Sequence, residues 1–284
     1  MSNSPARPVL RAGTAELTLA PADGGRIAAL AVGGVDLIKT SGVDLLTWGC
    51  YPMAPWAGRL RDGVLRWRRV VHQLPTHLLP PHGIHGTVLE RAWTVAQLED
   101  RSATLVTDLG PDWPFSGRVI HRVTLAPDTA HATLTVESDN AEFPAIVGWH
   151  PWFPRQLRSA DGVSLGGLAE VVMPAAGMLE RGPDYLPTGR IIRPIPPEPW
   201  DDCFVDLAGA PGVRWPGAME VALESDVPTW VAYTYPPDAV CVEPQSGPPD
   251  GLNTDAHAIV APGRPLVVGM TIRWRRLAPE SDPR

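Results

Sequence analysis

The chain of 284 residues is long enough for one large β domain or two average ones, and its formal charge of −7 lacks the positive footprint that sequence-independent nucleic-acid binding needs. Its 33 prolines and 27 glycines, against 44% hydrophobic residues, leave no long run with an apolar period of 3.6, which excludes a mainly helical architecture. No stretch of ~20 apolar residues offers a membrane-spanning helix and the amino terminus has no apolar signal-peptide core. The three cysteines lack metal-ligand spacing and leave an odd thiol after any pairing, so a reduced cytoplasmic protein is expected.

Residues Met1 to Pro8 read as a loose polar leader. From Leu10 an alternating run through Ala15-Glu-Leu-Thr-Leu, a turn at Ala22-Asp-Gly-Gly and the run Arg26-Ile-Ala-Ala-Leu-Ala-Val predict an opening strand meander. Pro52, Pro55 and Gly58 break Tyr51 to Leu60 too often for a helix or a central strand, so a loop is expected to deliver Arg59. In the basic cluster that follows, Arg66 and Arg68 alternate with Trp67, as on a solvated strand face. Four strands should then succeed one another from Arg91, Ser102, Arg118 and His131, separated by turns at Asp100, Pro111-Asp and Pro127-Asp, in an antiparallel sheet. The proline-dense stretch Pro183 to Pro199 reads as a long crossing loop rather than a linker, because strand-like runs of the same character resume at Phe204. The tail from Ala278 is expected to be flexible. One all-β domain is predicted for the whole chain, with an ordered core from about Leu10 to Trp274 in a sandwich or barrel.

The chemistry-bearing residues fall in turns and at strand ends. Glu243 follows the strand-like run Val240-Cys-Val and precedes Pro244, Gly247, Pro248 and Pro249, which puts a carboxylate at the mouth of a strand. His150 stands within Gly148-Trp-His-Pro-Trp-Phe, extended because Pro151 follows it, and walled by rings. His85 lies in His82-Gly-Ile-His-Gly, where glycines let backbone approach closely. Arg59 and Asp201 complete the set, with Trp56, Trp149 and Trp152 as apolar walls. Two histidines and two carboxylates can hold zinc, but none is at ligand spacing from another. No Gly-x-Ser-x-Gly elbow supports a serine nucleophile, and two carboxylates could also serve glycoside hydrolysis. What remains is one carboxylate base with one imidazole acid, beside arginine and aromatic rings.

In chain order, the segments Pro55-Trp-Ala-Gly-Arg59, His85-Gly86, Arg91-Ala-Trp93, Trp113-Pro-Phe115, His150-Pro-Trp-Phe153, Asp201-Asp-Cys-Phe204 and Glu243-Pro-Gln245 through Asn253 resemble the aldose 1-epimerase (galactose mutarotase) family over nearly the whole chain. The resemblance implies a large antiparallel β-sandwich of the galactose mutarotase type, a small-molecule sugar substrate, no metal or organic cofactor, and an isomerase that interconverts α and β anomers of a free aldose. It implies Glu243 as the base on the C1 hydroxyl, His150 as the acid on the ring oxygen, and His85 as a hydrogen-bonding partner of that oxygen. Arg59 and Asp201 would hold hydroxyls, and Trp152 would be the aromatic beside the acid. His85 is chosen over His82 because Gly86 follows it, and Asp201 over Asp202 by the aromatic at Phe204. Gly58 stands where the family commonly has Asn. The other readings are a non-catalytic carbohydrate-binding protein on the same fold and an epimerase of a hexose phosphate. An acid/base pair of this kind predicts a bell-shaped pH profile, with Glu243 ionising on the low limb and His150 losing its proton on the high limb.

Overall fold

A computed structural model describes residues 7–278, so the expected leader and tail lie outside the described residues except for Arg7, Pro8 and Ala278. Alternation decides the local structure. In Thr129–Ser138 the residues Ala130, Ala132, Leu134 and Val136 are buried while their neighbours face outward, the period-2 signature of a strand with one face in a core. Among the described residues no α-helix forms, only two short 3-10 turns at Arg61–Gly63 and Gly251–Asn253.

The strands make two large antiparallel sheets, one of eleven strands and one of eight. The eight-stranded sheet opens with the four successive strands expected from the sequence, Thr94–Glu99, Ser102–Asp108, Gly117–Leu125 and Thr129–Ser138. The eleven-stranded sheet begins at one edge with the meander Val9–Ala12, Ala15–Ala20 and Arg26–Val32 and passes through Cys50–Met53, Gly148–Pro154, Ala239–Gln245, Thr229–Tyr233 and Asp201–Leu207. The sheets form a β-sandwich, and side chains cross between them. Trp149 donates its indole N–H to His121 Nε2 at 3.2 Å, and Phe153 meets Trp215 edge-on at 6.3 Å between ring centres. Trp149, Phe153, Val240 and Val242 are wholly buried with residues of the other sheet such as Leu105, Val119 and Ile272.

Three expectations change. Cys50–Met53, read as part of a loop, is an interior strand of the large sheet, paired in full with Gly148–Pro154 but touching Arg26–Val32 only at Ile27–Cys50. Pro52 is tolerated because the missing N–H faces a side with almost no ladder to support. Within the proline-dense stretch, Pro187–Ile192 is a strand, confined to the sheet edge and starting on its proline, where the lost donor costs nothing. Arg68 does not share a strand face with Arg66, because Arg68 and Arg69 take positive φ (46° and 68°) in the turn between Val64–Trp67 and Val70–Gln73.

Candidate active site

Strand pairing assembles the centre. Gly148 lies opposite Gln245 and Trp152 opposite Cys241, a constant register that sets His150 opposite Glu243. No ladder pair forms across the residues between, where Pro151 and Pro244 each lack an N–H. Side chains join the strands there instead: His150 Nε2 is 3.2 Å from Glu243 Oε1, and Glu243 Oε2 accepts a hydrogen bond from Gln245 Nε2 at 3.1 Å. Glu243 is therefore inside a strand rather than at its mouth, and it is only 2% exposed. The strand runs through Pro244 because pairing with Thr229–Tyr233 continues on its other side.

Period 2 sends Tyr51, His150, Trp152, Glu243, Tyr233 and Asp201 to the same face, away from the core, and all six line a cavity of about 720 Å³. That size is typical of small-molecule sites. His150 is sandwiched between two rings, Tyr51 at 4.8 Å and Trp152 at 5.2 Å, both nearly parallel to it. Behind Tyr51 the buried guanidinium of Arg26 lies 5.2 Å from the ring centre, held by the carbonyls of Asp23 and Trp48 at 2.6 and 2.8 Å. Burial holds His150 down to about 3 and keeps its imidazole neutral, with the Arg26 charge acting in the same direction. Burial pushes Glu243 well above the usual carboxylate range, and the Asp201 charge adds to it. Both partners thus favour their neutral forms.

His85 meets the His150 ring edge-on at 5.1 Å. Its backbone N–H donates to the Gly58 carbonyl at 3.2 Å, and Gly58 N–H donates back to His85 Nδ1 at 3.3 Å. An accepting Nδ1 leaves the hydrogen of the neutral ring on Nε2, as a donor. Burial holds this imidazole well below its ordinary value, helped by His150 and Arg59. Gly86 makes the turn possible: it has φ +85°, and a Cβ there would come within 1.9 Å of the Ala54 carbonyl oxygen. Gly86→Ala should destabilise the protein by about 3 kcal/mol through strain and clash at this turn, read as a fall in Tm. An unchanged Tm would mean the loop absorbs the methyl.

Arg59 and Asp201 form an ion pair at 3.0 Å, and Arg181 bridges Asp201 at 3.4 Å and Asp202 at 3.3 Å. Asp201 shares the cavity face with Tyr233, its cross-strand partner, while Asp202 also borders the cavity and accepts from the Asp201 N–H. Trp152 is anchored by its indole N–H on the Leu46 carbonyl at 2.8 Å. The other two tryptophans expected as walls are elsewhere: Trp149 faces the core, and Trp56 is buried against Trp113 at 6.0 Å. His82 is outside the cavity, occupied by the Asp62 N–H at 3.1 Å and the Asp184 carbonyl at 2.9 Å. Sequence reading missed Tyr51, Arg181, Tyr185, Tyr233 and Gln245 as cavity residues. Gln245 had a signal, since it lies two residues from Glu243 on a strand and so on the same face.

Among the described residues one group of donors could hold a metal: His150, Cys241 and Glu243 have ligand atoms all within 4.8 Å of one another. All three cysteines are free and buried. Lys39, Arg59 and Arg181, the cations bordering the cavity, each have a carboxylate within 3.4 Å. No described helix is long and apolar enough to cross a membrane.

The family model for aldose 1-epimerase matches residues 20–273. Comparison with curated proteins returns no match. Among solved structures, an Escherichia coli K12 protein provisionally assigned as an aldose 1-epimerase superposes with TM-score 0.82 at 23% identity, over 96% of this chain and 99% of that one. A galactose mutarotase-like protein from Clostridium acetobutylicum gives 0.81 at 17%, covering 95% of each chain. An aldose epimerase homologue from C. elegans gives 0.78 at 14%, over 96% of this chain and 99% of its own. At such identities the structures establish a shared fold, and the match over residues 20–273 establishes more: this chain belongs to the aldose 1-epimerase family.

Proposed function

We propose that the protein interconverts the α and β anomers of a free, uncharged aldose. The observation that carries this reading is the buried contact of 3.2 Å between His150 Nε2 and Glu243 Oε1 on the floor of a cavity with aromatic walls. Mutarotation acts on the hydroxyl and ring oxygens of one hemiacetal carbon. Two oxygens on one carbon require an acid and a base that are neighbours.

The buried pair works with one shared proton. Its neutral form, carboxylic acid and imidazole, becomes the reactive ion pair when the proton crosses from Glu243 Oε1 to His150 Nε2. Glu243 then takes the proton of the C1 hydroxyl while His150 gives its own to the ring oxygen, and the C1–O5 bond breaks to leave an aldehyde. Rotation about C1–C2 turns the other carbonyl face, and the reverse transfers close the ring as the opposite anomer. Each turnover returns the pair to its starting proton count. His85 Nε2–H supports charge on the ring oxygen, Arg59 and Asp201 bind hydroxyls, and Trp152 with Tyr233 covers the sugar's C–H face. No step calls for a metal, so chelator-treated protein should keep its turnover.

A phosphorylated sugar fits less well. It would need free cations, whereas Lys39, Arg59 and Arg181 already face carboxylates at 2.7, 3.0 and 3.3 Å. Polarimetry on freshly dissolved α-glucose and α-galactose tests the proposal: rotation should decay faster than in buffer alone. Decay at the buffer rate across a broad sugar panel, with binding still detected by calorimetry, would instead make this a carbohydrate-binding protein.

The supporting residues should separate kinetically. Arg59→Lys loses the planar guanidinium whose Nη2 meets Asp201 at 3.0 Å and should raise KM about 10-fold with little change in kcat. His85→Gln should raise KM and lower kcat together, each by about 10-fold, since its donor serves both ground and transition states. An effect of Arg59→Lys on kcat alone would remove Arg59 from the binding set.

A further inference from the structure

Cys241 has no part in the acid/base chemistry, yet its side chain belongs to the same cluster. Trp152 and Tyr233 flank it as cross-strand partners, and it shares the cavity face of its strand with Glu243 two residues on. Its Sγ lies with His150 and Glu243 in the group whose ligand atoms fall within 4.8 Å of one another, and all three residues are buried. We infer that His150 Nε2, Cys241 Sγ and a Glu243 carboxylate oxygen form an inhibitory site for a thiophilic divalent cation of the zinc or cadmium class.

The donor set is one that zinc favours, a neutral imidazole, a thiolate and a carboxylate, with the fourth tetrahedral position open to the cavity. Charge balance favours it as well. A dication with one thiolate, one carboxylate and a neutral imidazole is a neutral unit, the only kind that burial tolerates cheaply. The nearby cations cannot play this part, because Lys39, Arg59 and Arg181 are held by Asp238, Asp201 and Asp202. Binding forms a metal–sulfur bond and releases the Cys241 thiol proton to solvent; a proton held on Glu243 leaves too. Closing the donors from 4.8 Å to bonding geometry takes a shift of about 1 Å, which the interrupted ladder between the two strands permits. Because the cation takes the lone pairs of the acid and the base, metal and sugar exclude each other. That last consequence rests on the proposed function, whereas metal binding does not.

The experiment uses full-length, chelator-stripped protein titrated with zinc chloride against a chromophoric zinc indicator, and with cadmium chloride while following thiolate-to-metal charge-transfer absorption in the ultraviolet. Wild type and Cys203→Ala should each take one cation per chain, with the absorption band and a rise in Tm. Cys241→Ala should lose the band and bind zinc at least about 100-fold more weakly, and Cys241→Ser, of nearly native size, repeats the test should the alanine variant fold poorly. Zinc should slow mutarotation in wild type far more than in the Cys241 variants. A stoichiometric band that persists in folded Cys241→Ala overturns the inference, as does zinc affinity equal in all variants and lost on replacing the exposed pair His77 and Glu90, whose Nε2 and Oε2 lie 2.8 Å apart on the surface. Failure of the polarimetric test with the cadmium band intact would sink only the mutarotase reading.

Discussion

Glu243→Gln protein should fold normally and lose between about 10² and 10⁴ of wild-type kcat, because the amide keeps the size and the Gln245 contact but cannot take the C1 hydroxyl proton. Melting temperature should change little, since burial already keeps Glu243 as a neutral carboxyl group and the amide that replaces it is neutral too. KM should move little, as the amide still fills the floor between His150 and Gln245. Polarimetric initial rates with a thermal melt on the same sample measure both. Turnover near the wild-type level in folded Glu243→Gln would reduce Glu243 to a packed carboxyl group and take the proposed chemistry with it.

The pH profile should be bell-shaped with its limbs assigned in the opposite order to the sequence expectation. Burial holds His150 down to about 3 and pushes Glu243 well above the usual carboxylate range, so the pair keeps one proton across the range between. Falling pH ends activity by adding a second proton, which His150 accepts. Rising pH ends it by removing the last proton, which Glu243 had held. The low limb should therefore lie at about 3, well below the range where an exposed histidine titrates. His150→Gln should cost on the order of 10²-fold in kcat and turn the bell into a single rise with pH, since Glu243 alone must then be ionised. A low limb centred near 6.5 would mean that His150 titrates as a solvated group.

The fold class was legible because alternation and punctuation carry it, and the first four strands of the eight-stranded sheet, from Thr94 to Ser138, follow the four predicted runs. The centre of the site was legible for a different reason. His150 and Glu243 sit in short segments with unusual prolines and tryptophans, and those segments carry the family resemblance. The same prolines misled the reading of Cys50–Met53, since a proline argues against an interior strand unless the neighbouring ladder is absent, and that absence is a tertiary fact. Arg181 and Tyr233 lie in ordinary strands, and only the pairing of Asp201 with Tyr233 brings their neighbourhood together. Nor could sequence order the two pKa shifts, because burial of Glu243 depends on strands far away in the chain.

The missing ladder between residues 149–151 and 242–244 has a mechanical meaning. A β-sheet resists shear through its row of main-chain hydrogen bonds, and here that row is interrupted for three residues between the interior strands Gly148–Pro154 and Ala239–Gln245. Cys50–Met53 stays fully laddered to Gly148–Pro154 on one side of the gap, and Thr229–Tyr233 to Ala239–Gln245 on the other. Sliding of these two strands past one another changes the separation of Nε2 and Oε1 directly. Proton transfer is steeply sensitive to that separation, so the same prolines that suspend the ladder tie the rate of chemistry to the elasticity of the scaffold.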